Sequence, residues 1–491
     1  MTRQAHPMNR RQFIIGGSMA IPAIVLPHTL IASATAGEPA VARQRQQPQP
    51  FEELARLITE RMAEHRIPGV AFGVLKAGTL TTRGFGVTNV EDPQPITADT
   101  VFPIASISKT VVATAVMRLV EQGRVDLRAP VRRYLPDFRV QDEATTNGVS
   151  LWHLLTHTPG WEGQLSAADR GSETLAAFME THRDLPQLAP MGTVWSYNNA
   201  GFGVAGRVIE VVTERSIHDA LRDLVFAPLE MSRASSRTGD ALTWRLALPH
   251  RQRDGATQVI RPFTLSTNTA AGGVATSIAN LLTYAAFHLG ERPGDPLLSR
   301  ASLEAMRTPQ LRKNSTDDEI GIGWQLRRLG GVLTAAHGGT LGGHCLHLQI
   351  VPTRRLAFAI LTNHADGWRL IQDVERATLR LYEGLSLTPG QRICHRGVNE
   401  AMNAHSTPLA TQPPAREYVG TYRRPPVGTV EVREQNGALM IGNSSVTFYG
   451  PDVAYATAGG YVGQPYEFVR DPDGRVEWVR VNGRIARRDR G

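Results

Sequence analysis

Ser106 and Lys109, in the stretch PIASISKTVV (103–112), have the residue types and spacing needed for nucleophilic catalysis. Residues three apart on a helix are neighbours, with about 5–6 Å between their Cβ atoms, so these two side chains can meet. A serine hydroxyl is a weak nucleophile until a neighbouring base takes its proton, and a desolvated lysine can be that base. Alone, the S-x-x-K pattern is also typical of an N-cap serine followed by a surface lysine.

The use of lysine at this position is informative because the chain contains so little of it. Of the 53 basic residues, three are lysine, namely Lys76, Lys109 and Lys313, and the other fifty are arginine. Arginine would serve for solubility or for a surface ion pair, whereas only lysine can lose its proton when it is desolvated. We therefore predict that Lys109 is a base and that Ser106 is the group it activates.

A second motif, Tyr197-Asn198-Asn199, lies in a predicted loop directly before a helix with apolar residues at helical spacing. A tyrosine phenol can accept and return a proton if nearby cations lower its pKa. An asparagine offers both a donor and an acceptor to an amide-like substrate. A tyrosine packed on the core and an asparagine that caps the helix would give the same pattern, so this motif alone decides nothing.

A third motif, His337-Gly338-Gly339, adjoins a predicted strand. Two glycines allow a substrate to approach the backbone closely. The N–H groups there could face an oxyanion. The alternative interpretation is a hairpin turn with a half-buried histidine.

The order of predicted elements around these motifs favours a single antiparallel sheet built from both ends of one domain. A helix and two strands come first, then a mostly helical stretch over 126–235, then several strands over 320–363. The helix of the first motif is predicted from about Ser106 to Glu121 or Gln122, with Gly123 ending it. NTAAGGVATS is predicted to be a loop that opens a further helix, and a final helix is predicted at 367–383. This order indicates an α+β domain with a helical insertion.

The composition outside this domain predicts two linkers and a second, smaller domain. Residues 37–50 are polar and rich in Pro and Gln, and residues 386–415 lose periodicity and gain Pro, Ser, Thr and Asn. From Glu417 onward, seven short alternating segments separated by glycine turns predict a small all-β sandwich or barrel over 416–491.

The first 36 residues are predicted to be an export signal and not part of the fold. Arg10 and Arg11 precede an apolar stretch over 13–27 that is too short to span a bilayer, and an A-x-A site ends at Ala36. The R-R-x-F pattern resembles a twin-arginine signal. We therefore expect a periplasmic or secreted protein; the alternative is an uncleaved N-terminal anchor.

Bulk composition excludes several other classes of protein. The 491 residues are 41% hydrophobic and 20% charged, as in ordinary globular proteins. The net charge of +8 is spread without a basic run interleaved with aromatics, so we expect no nucleic-acid binding. Two cysteines, Cys345 and Cys394, exclude a disulfide framework, although one bridge between them is left open. No metal-spaced set of ligands is present, so we expect neither metal nor cofactor.

Taken together and in this order, the three motifs resemble those of the serine β-lactamase and penicillin-binding superfamily. Within it, the chain is similar to class C-related serine hydrolases of the S12 type: esterases, D-aminopeptidases and DD-peptidase-like proteins. The resemblance covers roughly residues 51–385 and includes VFPIASISKTVVATAVMRLVEQGRVDL, LLTHTPG and APMGTVWSYNNAGFGVAGRVIE. It implies a β-lactamase/transpeptidase-like α+β fold. The C-terminal EYVGTYRRP segment resembles the small lipocalin-like barrel that often follows such enzymes.

The resemblance also implies roles for individual residues. Ser106 would be the acylated nucleophile, and Lys109 and Tyr197 would move its proton as one coupled unit, with the identity of the base left open. The remaining implied contacts are to the substrate: Asn199, His337, Gly338, Gly339, and an oxyanion hole of the Ser106 and Thr340 backbone N–H groups. Gln164 is a further candidate for a substrate contact, and His157 is expected to be structural.

The histidine at position 337 departs from the pattern of the superfamily, and this departure narrows the range of substrates that we expect. True lactamases of this type usually carry lysine there, and a histidine is mostly neutral at pH 7 unless its pKa is raised. We expect a serine hydrolase that acts through an acyl-enzyme on a small molecule or short peptide: a short ester, a D-amino-acid amide or a peptide. The alternative is a penicillin-binding or β-lactamase-type protein that acylates with slow or no turnover. A catalytically inactive relative is disfavoured by the intact Ser, Lys, Tyr and Asn set.

Overall fold

The computed structural model describes residues 49–163, 174–180, 183–261, 265, 268–292, 297–313, 318–386, 407–460 and 462–490. The described residues fall within one compact unit. The predicted export signal, Gln164 and Cys394 lie outside them.

The larger part of the fold is an antiparallel sheet assembled from distant segments of the chain. Its strands are β1 (Gly69–Lys76), β2 (Thr79–Gly86), β8 (Leu311–Arg312), β9 (Glu319–Ile320), β10 (Gln325–Leu329), β11 (Val332–Leu341), β12 (His344–Val351) and β13 (Leu356–Thr362). Their order in the sheet is β2-β1-β13-β12-β11-β10-β9-β8. The first strand of the sheet in the chain, β1, therefore pairs with the last, β13, through a register such as Phe72 opposite Ile360, and β2 pairs with β1 at the edge. The predicted sheet built from both ends of the domain is confirmed.

The central strands of the sheet are buried on both faces because helices cover each face. β12 and β13 are buried along their whole length, as expected for strands between two helical layers. One face packs on α1 (Gln49–His65) and α12 (Gly367–Glu383), the other on α2 (Ser108–Glu121) and α10 (Ile278–Leu289). The α12 bounds are those predicted, whereas α1 begins at Gln49, inside the predicted linker.

The insertion between β2 and β8 is mainly helical, as predicted. Its helices are α3 (Glu143–Gly148), α4 (Leu151–Leu155), α5 (Leu175–Glu180), α6 (Asn199–Thr213), α7 (Ile217–Leu221), α8 (Thr238–Leu242), α9 (Thr269–Gly272) and α11 (Arg300–Met306). Short strands accompany them: β3 (Val101–Pro103), β4 (Ala234–Ser235), β5 (His250–Arg253), β6 (Ala256–Val259) and β7 (Ala275–Ser277). The order β3-β7-β4 forms a small second sheet next to the first motif.

The C-terminal part is a closed barrel of eight antiparallel strands. They are β14 (Gly420–Arg424), β15 (Gly428–Gln435), β16 (Ala438–Ile441), β17 (Ser444–Gly450), β18 (Val453–Ala458), β19 (Pro465–Arg470), β20 (Val476–Val481) and β21 (Arg484–Arg488). The sequence predicts seven of them and misses β18, whose VAYATA is rich in alanine and weak in β-propensity. Within the predicted linker 386–415, Leu409 packs on the barrel and donates its N–H to the Phe448 carbonyl.

Candidate active site

Ser106 lies on a short 3-10 helix (Ala105–Ile107) that leads directly into α2. The α-helix thus starts at Ser108, two residues later than predicted. Ala105, with φ +46°, holds a left-handed conformation that is costly for an L-residue and is typical of functional turns. Ser106 itself is half-buried while the residues around it are buried, so its hydroxyl is the reachable group of this turn.

The turn is held from two sides by neighbouring backbone. Ile104 donates its N–H to the Val274 carbonyl at 2.8 Å, and Val274 donates to the Ser108 hydroxyl at 3.0 Å. On the other side β11 packs against it, and a Cβ at Gly339 would lie 2.5 Å from the Ile104 carbonyl oxygen. Gly339 is therefore required for the close approach of β11 to the turn that carries Ser106.

Lys109 is fully buried one helical turn after Ser106. Its Nζ lies 3.2 Å from Ser106 Oγ and 2.6 Å from the Ala271 carbonyl oxygen. It also lies 4.9 Å from the centroid of the Tyr197 ring and 5.5 Å from that of Phe202. Burial, and to a smaller degree the charge of Arg484, lowers the pKa of Lys109 well below its usual value. A neutral amine next to the serine hydroxyl can accept its proton.

The carbonyl that Lys109 contacts is positioned by Asn268, a residue that sequence reasoning missed. Asn268 caps α9, with its Oδ1 accepting the Ala271 N–H at 3.2 Å, and its Nδ2 donates to the Asn199 carbonyl at 3.1 Å. This links the second motif to the partner of Lys109. The predicted loop NTAAGGVATS contained the signal, since an asparagine before a small-residue helix is an N-cap pattern.

Tyr197 is half-buried in the loop before α6, as the sequence predicts. Its ring lies 4.6 Å from the His157 ring and 6.4 Å from that of His337, measured between centroids. Asn198 caps α6 by accepting the Gly201 N–H at 2.7 Å, and Asn199 follows as the first helical residue. The structure thus brings Ser106, Lys109, Tyr197 and Asn199 to one place.

The buried side chain of His157 holds the loop that carries Tyr197 in place. Its Nδ1 accepts the Asn198 N–H at 2.9 Å, and burial is the main cause that lowers its pKa well below the usual value. A neutral, buried histidine that accepts a backbone hydrogen bond agrees with the structural role expected of it.

His337 lies inside β11, opposite Leu348 of β12, and is buried. Its Nδ1 is 2.8 Å from the Gly338 carbonyl oxygen, so Nδ1 carries the hydrogen and Nε2 is an acceptor. Burial, followed by the nearby Lys109, lowers its pKa to about 3. His337 therefore stays uncharged at neutral pH. Thr340, three residues on, has its side chain on the opposite face, where its Oγ1 accepts from Trp368 Nε1 at 2.9 Å.

The barrel also reaches the site, which the sequence does not predict. The Tyr197 N–H donates to the Gly483 carbonyl at 2.8 Å, and the next residue, Arg484, places its guanidinium carbon 5.2 Å from the Tyr197 ring centroid. The available signal was the Asn482-Gly483 pair, which predicts a tight hairpin turn but not what that turn touches.

Lys313 is a second cation that sequence reasoning left unused. It is 8% exposed, with Nζ 5.2 Å from the centroid of the Trp195 ring and 3.2 Å from Gln325 Oε1. Its charge contributes to the low pKa of His337. Since Lys313 is one of three lysines in the chain, the scarcity argument applied to Lys109 would have singled it out too.

The described part of the chain contains no group of three His, Cys, Asp or Glu side chains arranged to hold a metal ion. Within the same ranges no helix is both long and apolar enough to cross a membrane.

Comparisons with known proteins agree with the fold. "Penicillin-binding protein 4" of Amycolatopsis lactamdurans is 32% identical over 335 residues, which cover 66% of this chain and 88% of that protein. "Esterase EstB" of Burkholderia gladioli is 34% identical over 194 residues, covering 36% of this chain and 49% of that protein. The crystal structure of SurE superposes with a TM-score of 0.74 at 26% identity, and the match covers 90% of this chain and 99% of that one.

The match to SurE extends beyond the hydrolase domain, since the covered 90% must include part of the barrel. Residues 54–380 match the protein family described as Beta-lactamase. The chain therefore belongs to the beta-lactamase family of serine hydrolases, and it carries an additional C-terminal barrel of eight strands.

Proposed function

We propose that this protein is an exported serine hydrolase that cleaves ester or amide bonds through an acyl-enzyme on Ser106. The observation that carries the proposal is the 3.2 Å contact between Ser106 Oγ and the fully buried Nζ of Lys109. Burial favours the neutral amine, and a neutral amine within hydrogen-bond reach of a hydroxyl is a general base.

In the acylation step the Ser106 Oγ–H proton passes to the Lys109–Tyr197 unit while Oγ bonds to the substrate carbonyl carbon. The carbonyl π electrons move to its oxygen and form a tetrahedral oxyanion. When this collapses, the bond to the leaving group breaks and the same proton is returned to the leaving oxygen or nitrogen. The Tyr197 ring lies 4.9 Å from Lys109 Nζ, and we assign to its hydroxyl the transfer of that proton.

The oxyanion would be bound by the backbone N–H groups of Ser106 and Thr340. This assignment is supported by the packing of β11 on the Ser106 turn, which Gly339 permits. Backbone donors fixed in this way stabilise negative charge without reorganising during the reaction. Asn199, His337 and Gly338 are proposed to contact the substrate, and the proposal for His337 is supported by the 6.4 Å between its ring and that of Tyr197.

Deacylation repeats the sequence with water as the nucleophile. Water gives one proton to the Lys109–Tyr197 unit and attacks the ester carbon, and the proton is then passed to Ser106 Oγ as the acyl product leaves. The enzyme returns to its starting state, with one water consumed for each bond cleaved.

The proposed substrates are short esters, D-amino-acid amides or short peptides. His337 is neutral, with a pKa lowered to about 3, so it does not provide the positive charge that lysine gives lactamases at this position. A relative named as an esterase supports the same class.

A second candidate function is a penicillin-binding type of protein that acylates but turns over slowly or not at all. The neutral His337 favours it, and so does the relative named as a penicillin-binding protein. The two candidates share the acylation step and differ in the lifetime of the acyl-enzyme.

Intact-mass spectrometry over time, after mixing with p-nitrophenyl butyrate or benzylpenicillin, tests both candidates. The hydrolase predicts a butyryl adduct on Ser106 that disappears when the ester is consumed. The slow acylator predicts a penicilloyl adduct that persists after free drug is removed. An adduct that forms equally on Ser106→Ala would contradict both.

Export is proposed from the N-terminal pattern alone. Residues 1–36 fused to a folded fluorescent reporter should carry it to the periplasm, and Arg10→Lys combined with Arg11→Lys should block this. A reporter that stays in the cytoplasm with both arginines present would contradict the proposal.

A further inference from the structure

The barrel presents one hairpin turn to the active site, and this turn is fixed there on both sides of Arg484. Gly483 accepts the Tyr197 N–H at 2.8 Å, and Ile485 donates to Ser196 Oγ at 3.3 Å. Asn482 and Gly483 have φ of +51° and +77°, as a two-residue hairpin turn requires. Arg484 is therefore held at a defined position beside Tyr197.

The remainder of the interface anchors this turn to the loop that carries Tyr197. Trp478 Nε1 donates to the Leu188 carbonyl at 2.7 Å, and Arg480 donates to the Trp195 carbonyl at 3.1 Å. A small apolar cluster seals the contact, with Leu188 and Val194 packed against Trp478 and Ile485. The barrel thus belongs to the wall of the site.

Arg484 supplies a positive charge, which His337 of the third motif lacks. Its guanidinium carbon lies 5.2 Å from the Tyr197 ring centroid, and the residue is half-buried. His337 and His157 are uncharged, and burial favours the neutral form of Lys109. A guanidinium remains charged in proteins and binds carboxylates through two parallel hydrogen bonds.

We propose that Arg484 of the barrel binds a carboxylate carried by the leaving group of the substrate. Tyr197 is proposed to return the proton to the leaving group. Because Arg484 lies beside Tyr197, it must border the leaving group as well. This inference rests on the proposed function and narrows its substrates to esters, amides or peptides whose leaving portion ends in a free carboxylate.

Two esters with the same acyl group provide the test: phenyl hippurate and 3-carboxyphenyl hippurate. Both form the same hippuryl-enzyme, so kcat/KM differs between them only through acylation. The wild type should prefer the carboxylate ester. Arg484→Gln should reduce this preference by about tenfold or more, because a charge-assisted hydrogen bond is lost. The readout is the ratio of kcat/KM between the two esters, since loss of the Arg484 charge also acts on the pKa of Lys109 and therefore on both esters alike. Arg484→Lys should fall between the two.

Arg475→Gln is the matched control. Arg475 directly precedes β20, at the end of that strand away from the Asn482-Gly483 turn, and its side chain is 68% exposed, so this variant removes the same charge from the barrel without reaching the site. Thermal unfolding of each variant separates loss of the fold from loss of the contact.

Each outcome is informative. A wild type that hydrolyses both esters through Ser106 without preferring the carboxylate overturns the inference, whatever the variants do, and leaves the proposed function intact. An equal loss on both esters in Arg484→Gln also overturns it. A wild type that hydrolyses neither ester and forms no adduct on Ser106 overturns the proposed function, and this inference with it.

Discussion

Burial decides which ionisable side chains of the site carry charge. Lys109 is fully buried, which removes the hydration that would stabilise its ammonium form. The same effect keeps His337 and His157 neutral. Arginine at position 109 would keep its proton, which explains why a chain with fifty arginines places a lysine there.

Substitution of Lys109 should separate catalysis from stability. Lys109→Arg and Lys109→Met should each lower kcat/KM for p-nitrophenyl butyrate by about 10²- to 10⁴-fold, the usual worth of a general base. Lys109→Met should also raise Tm by a few degrees, because it removes an amine whose burial costs folding free energy. Lys76→Arg is the control, since Lys76 forms an ion pair with Glu383 that arginine can also form. Full activity in Lys109→Met would exclude Lys109 as part of the base.

The pH dependence of kcat/KM should show the lowered pKa of Lys109. Activity requires the neutral amine, so it falls as the pH drops through that pKa and reaches a plateau above it. Because the pKa lies well below its usual value, we expect the plateau to begin well below about pH 10. His337, with its pKa near 3, should add no step around neutral pH. A rate that rises tenfold per pH unit up to about pH 10 would contradict this account.

At the scale of elements, the contact between β11 and the Ser106 turn is the feature that forms the proposed oxyanion hole. It depends on the absence of a side chain at Gly339, where an added Cβ would lie 2.5 Å from the Ile104 carbonyl oxygen and 3.1 Å from Ala105 Cβ. Gly339 of the strand and Ala105 and Ile107 of the turn are buried, so the two segments cannot separate here without disturbing the core.

Gly339→Ala should therefore damage both stability and activity. We expect a loss of about 1–3 kcal/mol of unfolding free energy from overpacking, and a fall in kcat/KM of at least about tenfold as Thr340 moves from Ser106. Gly239→Ala in α8 is the matched control, because nothing lies within 4 Å of a Cβ built there. Thermal unfolding and ester hydrolysis measure the two effects. Normal activity in a destabilised Gly339→Ala would argue against the Thr340 N–H as an oxyanion donor.

Sequence reasoning predicted those elements and contacts that local pattern determines. The α12 bounds follow from apolar spacing and a glycine after Glu383, and the nearness of Ser106 to Lys109 follows from helical geometry. The Ala271 carbonyl beside Lys109 was missed because it comes from a segment far along the chain. No local pattern around Lys109 or around Ala271 indicates that the two residues are in contact. β18 was missed because small residues gave no alternating pattern.

For the whole molecule, the two parts are joined at the active site itself. Trp478 of the barrel is 5% exposed and contacts the same loop whose later residues include Tyr197. The sequence predicted a barrel and the motifs separately. It could not predict their contact, because the packing of one domain on another depends on the shapes of both surfaces.

Weakening this interface should therefore affect catalysis. Trp478→Ala should cost about 3–5 kcal/mol, and Trp478→Phe about 1 kcal/mol through loss of the hydrogen bond to Leu188. At temperatures where the protein stays folded, both variants should lower kcat/KM, and Trp478→Ala should lower it more than Trp478→Phe. Val427→Ala, at a barrel residue that is 44% exposed, is the control and should change neither quantity. A folded Trp478→Ala with unchanged kcat/KM would show that the barrel contact does not support the Tyr197 loop.

The most direct test of the central claim is steady-state hydrolysis of p-nitrophenyl butyrate by the protein and by Ser106→Ala. Ser106 is half-buried, and alanine removes only its Oγ, so the fold should be retained and thermal unfolding should confirm it. We expect turnover by the wild type and none above background by the variant. Equal turnover by both would show that Ser106 is not the nucleophile and would contradict the acyl-enzyme mechanism.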